Sequence, residues 1–241
     1  MSTHLFDAPF SCFVTGTDTE IGKTLISSAV VHLQAQKGFK VAGMKPVAAG
    51  AVYQEHPDKR WFNEDVHSLM NASSVDLPQD TVCPYLFKTP VAPHLAAEQE
   101  GVNIDPNVIL QAYEKLRSLT QAVVVEGVGG FRVPLTRTFD TADLASMLEL
   151  PVILVVGMRL GCINHALLSA ESIRARGLNL VGWVANSMGQ PMNKLEENIQ
   201  AIDQRIGAKK LAYVPYLRNA SAEAAAPYFG HPDLSVLPGD F

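Results

Sequence analysis

The residues whose types and spacing point most directly to chemistry lie near the amino terminus. Residues 13–24 read FVTGTDTEIGKT. Gly16 and Gly22 bracket a short loop, and Lys23 and Thr24 follow it. A triphosphate site requires backbone N–H groups that converge on anionic oxygens, a lysine for the β- and γ-phosphates and a hydroxyl for Mg²⁺. The two glycines, the lysine and the threonine supply these parts, and the segment therefore predicts a phosphate-binding P-loop.

The spacing of this loop departs from the common pattern. Five residues separate Gly16 from Gly22, one more than in the pattern G-x-x-x-x-G-K-T. We expect a loop that is one residue longer and bulged. An ordinary glycine-containing turn is the alternative, but a Gly-Lys-Thr triplet between an apolar strand and an amphipathic helix favours the phosphate site.

A second glycine-rich turn follows another apolar strand. Residues 123–130 read VVVEGVGG, so Glu126 ends the strand. An acid in this place beside a P-loop strand holds Mg²⁺ directly or through water, which makes Glu126 a candidate metal ligand. Two alternatives are open. The glycines resemble a dinucleotide fingerprint, although Arg132 stands where its last glycine should be, and Glu126 could instead cap a helix.

Two further polar residues could reach the same place. Lys45 ends an apolar strand in the run AGMKPVAAG, at the edge where open α/β sheets bind ligands. A solvated lysine is the ordinary interpretation of such a position, but neighbouring phosphate chemistry favours a side chain that points into the cleft. Asp65 begins a helix predicted over residues 64–70 and could reach Mg²⁺, although taken alone it is typical of an acid in the first turn of a helix.

The elements that must position these residues alternate along the chain. Strands are predicted over residues 10–15, 40–46, 122–126, 152–156, 180–185 and 210–214, and helices over residues 23–36, 107–119, 141–148, 164–176 and 192–206. Strands buried on both faces by crossover helices give this pattern. The predicted fold is α/β, a doubly wound and mostly parallel sheet of the P-loop NTPase type with helices on both faces.

One stretch interrupts the alternation. Residues 51–91 are rich in His, Asp, Asn and Pro, and they carry anchoring aromatic residues such as Trp61 and Phe87. We expect an ordered flap at the active site, because long excursions in compact domains are commonly functional. No shift in composition marks a boundary, so residues 1–241 are predicted to form one domain.

Composition excludes several classes of protein. The 241 residues are 47% hydrophobic and 18% charged, with a net charge of -5. Disorder is excluded, and no basic surface for nucleic acid or anionic lipid is indicated. Cys12, Cys83 and Cys162 lie far apart, which predicts neither a disulfide framework nor a cysteine zinc site. We expect a cytoplasmic protein that binds no nucleic acid and no membrane.

Together these motifs resemble the family of ATP-dependent dethiobiotin synthetases. The matching runs are FVTGTDTEIGKT, AGMKPVAAG, NED, PVAPHLAAEQEG, VVVEGVGG, LPVILVVGMRLGCINHALL, GWVANS and VPYL. They span nearly the whole chain, although residues 220–241 match poorly. The elongated P-loop is specific to this family, so its extra residue supports the resemblance.

The resemblance implies an ATP- and Mg²⁺-dependent ligase that joins CO2 to 7,8-diaminononanoate and closes a cyclic urea. Lys23 and Lys45 are the implied catalytic residues, and Thr24, Asp65 and Glu126 the implied magnesium ligands. The implied nucleotide-binding residues are Thr19, Glu20, Ile21, Gly22, Lys23, Thr24, Leu25, Asp65, Glu126, Gly127, Val128, Gly129, Asn186, Ser187, Pro215, Tyr216, Leu217 and Glu223. An asparagine amide presents the donor and acceptor that match the edge of adenine, although Asn186 could also form a turn.

The substrate site has a second part in this interpretation. The implied substrate-binding residues are Ala49, Gly161, Cys162, Ile163 and Asn164. Four of them open a helix, where free N–H groups could receive a carboxylate. The resemblance implies a homodimer in which the partner subunit binds that carboxylate. Ala49 is a departure, because related sequences usually carry Ser or Thr there.

Two other classes of protein share features with this sequence. Dimeric partitioning ATPases have the same fold and also bind nucleotide through a P-loop, but they carry an extra lysine where this chain has Asp18. A cobyrinate-amidating enzyme would need a glutamine-hydrolysing domain, for which 241 residues leave little room.

Overall fold

A computed structural model describes residues 5–55 and 59–230. The remaining residues, which include part of the predicted flap and both ends of the predicted domain, lie outside this description. Numbered along the chain, the strands are β1 (Cys12–Gly16), β2 (Val41–Met44), β3 (Val47–Ala48), β4 (Val52–Gln54), β5 (Arg60–Phe62), β6 (Tyr85–Leu86), β7 (Ala122–Glu126), β8 (Val152–Met158), β9 (Leu180–Ser187) and β10 (Lys209–Val214).

Helices connect most of these strands. They are α1 (Lys23–Gln36), α2 (Glu64–Ala72), α3 (Gln79–Val82), α4 (Pro93–Glu100), α5 (Pro106–Leu119), α6 (Thr141–Leu148), α7 (Cys162–Ala175), α8 (Leu195–Ile206) and α9 (Ala222–Ala225), and a 3-10 turn spans Ala226–Gly230. All five helices predicted between the strands, and the short helix predicted in the flap, are present, with differences at some of their ends.

The main sheet has six strands in the order β10-β9-β8-β1-β7-β2. Every neighbouring pair is parallel. All six predicted strands belong to this sheet, and the predicted fold class is confirmed. Because the strands are parallel, Glu126 and the end of β2 come to the same edge as the P-loop that follows β1.

Helices cover both faces of the sheet because successive strand residues point in opposite directions. In β1, Phe13 belongs to one buried core and Val14 to the other. Residues of α4 to α8 fill the first core, and residues of α1, α2 and α9 contribute to the second. Both faces of the sheet are therefore covered by mainly apolar cores.

The excursion after β2 contains more regular structure than the sequence predicted. Strands β4 and β5 form an antiparallel hairpin, and β3 pairs with β6 in parallel. Trp61 of the hairpin contacts Tyr53 and lies under Lys88, whose Nζ is 4.8 Å from the ring centroid. These short strands and α3 went unpredicted, because two to four residues show no periodicity. Helix α4, just after the excursion, was also missed, because it has no clear apolar stripe.

Within the described part of the chain, no helix is long and apolar enough to cross a membrane. The three cysteines are buried and free.

Candidate active site

The P-loop connects β1 to α1 through a backbone that requires glycine at its end. Gly22 has φ 84° and caps α1. A Cβ atom on this residue would lie 2.3 Å from Asn186 Nδ2. Both the left-handed backbone and the lack of space therefore exclude a side chain at this position.

Ile21 shows how the longer loop is accommodated. Its side chain is 1% exposed and points towards the sheet. A Cβ on Gly16 would lie 2.6 Å from Ile21 Cδ1, and a Cβ on Gly157 would lie 2.6 Å from Ile21 Cγ2. Two glycines on neighbouring strands thus form a socket for this side chain. The predicted nucleotide contact of Ile21 is consequently left to its backbone.

Lys23 begins α1 and is 6% exposed. Its Nζ donates a hydrogen bond to the Asp18 carbonyl at 2.7 Å. Burial, reinforced by the positive charge of Lys45, lowers the pKa of Lys23 to about 8. The ammonium is poorly solvated where it lies, so an anionic ligand beside it would gain strongly in electrostatic energy.

A polar cluster with Lys45 and Glu126 buried at its centre joins four elements of the fold. Thr24 Oγ1 donates to Glu126 Oε1 at 2.8 Å, and Lys45 Nζ donates to the same oxygen at 2.5 Å. Lys45 Nζ also donates to Asp65 Oδ2 at 2.8 Å. The structure thereby brings together the three predicted metal ligands and the predicted active-site lysine.

The charges in this cluster support each other. Burial alone would lower the pKa of Lys45, but Glu126 and Asp65 outweigh it and raise the pKa well above its usual value. Burial likewise would raise the pKa of Asp65, but Lys45 holds it below its usual value. Lys45 therefore stays positively charged, and Asp65 stays ionised.

The cluster forms the floor of a cleft of about 730 Å³. The predicted site residues that line the cleft are Thr19, Glu20, Gly22, Lys23, Thr24, Lys45, Ala49, Asp65, Glu126, Val128 and Gly129. One wall contains no residue that was singled out as a site residue, although Pro90 and Val91 end the predicted flap. It consists of residues 90–93 together with Ala48 and Val133, and its signal in the sequence was the run PVAPHLAAEQEG.

Several predicted nucleotide residues lie outside the lining of this cleft. Asn186 and Ser187 are the last two residues of β9. Asn186 Nδ2 donates to the Ile21 carbonyl in the P-loop, and Ser187 Oγ lies 3.2 Å from Tyr213 Oη. Tyr216 is 60% exposed, and its ring lies against Gly189. Since β9 and β10 lie on the opposite side of β1 from β7 and β2, the P-loop separates these residues from the polar cluster.

The other predicted nucleotide residues vary in their surroundings. The Gly127 carbonyl lies 3.4 Å from Lys45 Nζ, and Leu217 packs against the apolar core. Glu223 lies 3.8 Å from His32, in the first turn of α9. Leu25 and Pro215 are half-buried. Contact of these residues with a nucleotide stays a prediction.

The predicted carboxylate-binding residues form a separate group at the start of α7. Gly161 caps this helix with φ 96°, Cys162 is buried and Asn164 is exposed. The preceding Leu160 is 94% exposed. None of these residues lines the P-loop cleft of the same chain.

The donor set fits a magnesium ion. Glu126 Oε2 is buried and has no hydrogen-bond partner among the described residues. Together with the Thr24 hydroxyl and the Asp65 carboxylate it offers oxygen ligands, which Mg²⁺ prefers. Within the described ranges, no group of three or more His, Cys, Asp and Glu residues could hold a metal. A site with few protein ligands is typical of Mg²⁺ bound together with nucleotide phosphates.

The parallel sheet, the P-loop and the acid on the adjacent strand define a P-loop NTPase-like nucleotide-binding enzyme. The solved structure of the septum site-determining protein MinD from Pyrococcus horikoshii, complexed with Mg-ADP, is similar, with a TM-score of 0.55 and 15% identity. The match covers 91% of this chain and 93% of that one. At this identity the likeness shows the fold alone.

Sequence comparison narrows the class. A family model described as an AAA domain matches residues 11–224. The ATP-dependent dethiobiotin synthetase BioD of Janthinobacterium sp. (strain Marseille) is 52% identical, over 96% of this chain and 97% of that protein. The protein of the same name from Aromatoleum aromaticum is 54% identical, over 90% of this chain and 96% of that protein. The chain belongs to the family of ATP-dependent dethiobiotin synthetases, as the motifs predicted.

The partitioning ATPase alternative is not favoured. Asp18, at the position of the extra lysine in those proteins, forms an ion pair with Arg159. The high identity is to synthetases, whereas the MinD likeness does not extend beyond the fold.

Proposed function

We propose that the chain converts 7,8-diaminononanoate, CO2 and ATP into dethiobiotin, ADP and phosphate, with Mg²⁺ as cofactor. The observation that carries this proposal is a second buried ammonium next to the P-loop. Lys45 is 3% exposed, and its positive charge helps to lower the pKa of Lys23. The extra lysine of the partitioning ATPases stands at the position of Asp18, whereas this cation directly follows β2. A reaction between two anions explains a cation at this second place.

The reaction explains why a second cation is needed. One amine attacks the carbon of CO2 and loses a proton, which gives a carbamate. A carbamate oxygen then attacks the γ-phosphorus of ATP and ADP leaves, which gives a carbamic-phosphoric anhydride. The second amine attacks the carbonyl carbon and loses a proton, phosphate leaves, and the cyclic urea closes. Because carbamate and γ-phosphate are both negative, the middle step requires fixed positive charge.

The two lysines supply that charge from two different elements of the fold. Lys23 comes from the P-loop helix, and Lys45 from the end of β2. Thr24, Asp65 and Glu126 would hold Mg²⁺, which when bound adds positive charge against the same repulsion. The fixed positions of these groups mean that little reorganisation is needed as charge develops.

The unpredicted wall of the cleft has a separate role in this proposal. Residues 90–93, Val128 and Val133 present mainly apolar groups. They would restrict water around the anhydride and so favour attack by the second amine over hydrolysis. Both amines belong to one molecule, so ring closure is intramolecular and fast.

The proposal includes a single-domain homodimer in the cytoplasm. Free N–H groups at the start of α7 suit a carboxylate. Since these residues do not line the cleft of their own chain, a partner subunit could use them. In this proposal the adenine base lies on the far side of the P-loop. It would be contacted there by five predicted residues, Asn186, Ser187, Pro215, Tyr216 and Leu217.

Purified protein supplied with MgATP, bicarbonate and 7,8-diaminononanoate tests the function. Phosphate and the cyclic urea should form in equal amounts. Without the diamine, ATP hydrolysis should fall to background. Hydrolysis that continues at the same rate without the diamine would contradict the proposal and favour a nucleotide switch.

Ala49→Ser is expected to lower the KM for the diamine by about two- to tenfold, because the new hydroxyl adds a hydrogen bond in the cleft. Ala49 lines the cleft, and its carbonyl already accepts a bond from Asn63 at 3.2 Å. Steady-state kinetics would measure the effect, and ATP affinity should not change. Ala175→Ser, on the exposed end of α7, is the control. A raised KM for the diamine would disprove the prediction.

Asn164→Ala is expected to raise the KM for the diamine by about tenfold while the KM for ATP changes little, because it removes a contact to the substrate carboxylate. Asn164→Asp places a negative charge at the same site and should have a larger effect. Equal losses for both substrates would mean that Asn164 has a general structural role.

A further inference from the structure

Asn186, which is predicted to contact the nucleotide base, also forms a hydrogen bond within the protein. It is the second-last residue of β9 and is 4% exposed. Its Nδ2 donates a hydrogen bond to the Ile21 carbonyl, at 2.9 Å, inside the P-loop. Its Oδ1 is buried and has no partner within the described residues. One half of the amide thus binds the protein, and the other half is left for a ligand donor.

The Ile21 carbonyl lies at the end of the P-loop, next to the start of α1. Ile21 directly precedes Gly22, where the chain turns into α1 and the N–H groups begin to converge on the phosphate site. The Ile21 side chain is held in the socket of Gly16 and Gly157, and its carbonyl is held by Asn186. Within the elongated loop, Ile21 is therefore fixed at both its side chain and its backbone.

We infer that Asn186 is a positioning residue for the triphosphate. By holding the Ile21 carbonyl, it sets the orientation of the peptide that leads into Gly22 and Lys23, whichever base the nucleotide carries. The free Oδ1 can at the same time accept a hydrogen bond from a base amino group. One side chain then links the base site to the phosphate site. This inference rests on the proposed function for its ligand, MgATP.

A triphosphate without a base separates the two roles. Inorganic tripolyphosphate with Mg²⁺ is the probe, and calorimetry measures its affinity. Asn186→Ala should weaken tripolyphosphate binding by about two- to tenfold, the effect of one lost hydrogen bond. If Asn186 only read the base, ATP binding would weaken and tripolyphosphate binding would not. Asn179→Ala, an exposed asparagine just before β9, should leave both affinities unchanged.

Kinetic measurements exclude a merely structural role. In Asn186→Ala the kcat should fall and the KM for ATP should rise, whereas the KM for the diamine stays constant. A general loss of structure would change all three together with the melting temperature. Asn186→Ser is a second variant in case the first does not fold. Failure of both to fold would assign Asn186 to the stability of the sheet and overturn the inference.

Two further results would overturn it. One is unchanged tripolyphosphate affinity in a folded variant. The other is a wild-type chain that binds no tripolyphosphate, because a loop held by the protein itself should bind a base-free triphosphate. Neither measurement uses the diamine. Failure of this inference is therefore distinguishable from failure of the proposed function, which the wild-type assay for cyclic urea tests separately.

Discussion

Lys23→Ala should abolish turnover, with a loss of about 10³-fold or more in kcat, since it removes a fixed positive charge from the phosphates in the transition state. The lysine is buried, and the P-loop backbone already holds its ammonium through the Asp18 carbonyl. A water molecule in its place would be neutral and would have to reorient as charge develops. Binding of MgATP should weaken as well.

The experiment compares Lys23→Ala with Lys37→Ala. Lys37 follows the same helix but lies on the surface in an ion pair with Asp7. Cyclic urea formation, ATP binding by calorimetry and thermal unfolding would be measured for both. We expect normal activity in Lys37→Ala. Retained turnover in a folded Lys23→Ala protein would show that residues 16–24 are not a catalytic P-loop.

Lys45→Ala should lower kcat by about 10²- to 10³-fold with a smaller change in KM, because its charge acts mainly on the anionic transition state. The variant also leaves Glu126 and Asp65 without their shared cation. Breaking a buried ion pair in this way costs about 3–5 kcal/mol of stability. Activity and stability must therefore be measured together.

Lys45→Met separates these two effects. It keeps the apolar stem of the side chain and removes only the charge. Lys40→Ala, at the exposed residue before β2, serves as the control. The expected result for Lys45→Met is a folded protein with low kcat at saturating diamine and ATP. An effect confined to KM would contradict the catalytic role of Lys45.

Local elements of this fold were predictable because their signals are local. The bounds predicted for α1, α6 and β7 agree with the structure, since apolar periodicity and flanking glycine or polar residues lie within each segment. The hairpin of β4 and β5 was not predicted. Its strands have three residues each and depend on contacts with their neighbours rather than on a repeating pattern.

The site was predictable as a set of residue types but not as a set of contacts. Glycine, lysine and threonine in consecutive positions identified the P-loop, and an acid at the end of a strand identified Glu126. Their meeting depends on strand order. Thr24 and Glu126 are 102 residues apart, and Lys45 and Glu126 are 81 apart, yet each pair forms a hydrogen bond because β7 lies between β1 and β2.

The role of Asn186 illustrates what lay beyond sequence reasoning. Its amide suggested base recognition, but its bond to Ile21 joins residues 165 positions apart. No pattern in either segment indicates the other. The socket for Ile21 is similar, because Gly16 and Gly157 lie on strands that are neighbours only in the folded sheet.

The amino-acid sequence by itself determined the class of fold, the phosphate-binding loop and the family, because backbone freedom, hydrophobic period and reactive groups are properties of short segments. The tertiary structure alone decided which of these groups touch. Strand order follows from the packing of all the helices against both faces of the sheet. Strand order thus depends on many weak contacts between distant segments, and no single segment of the chain predicts it.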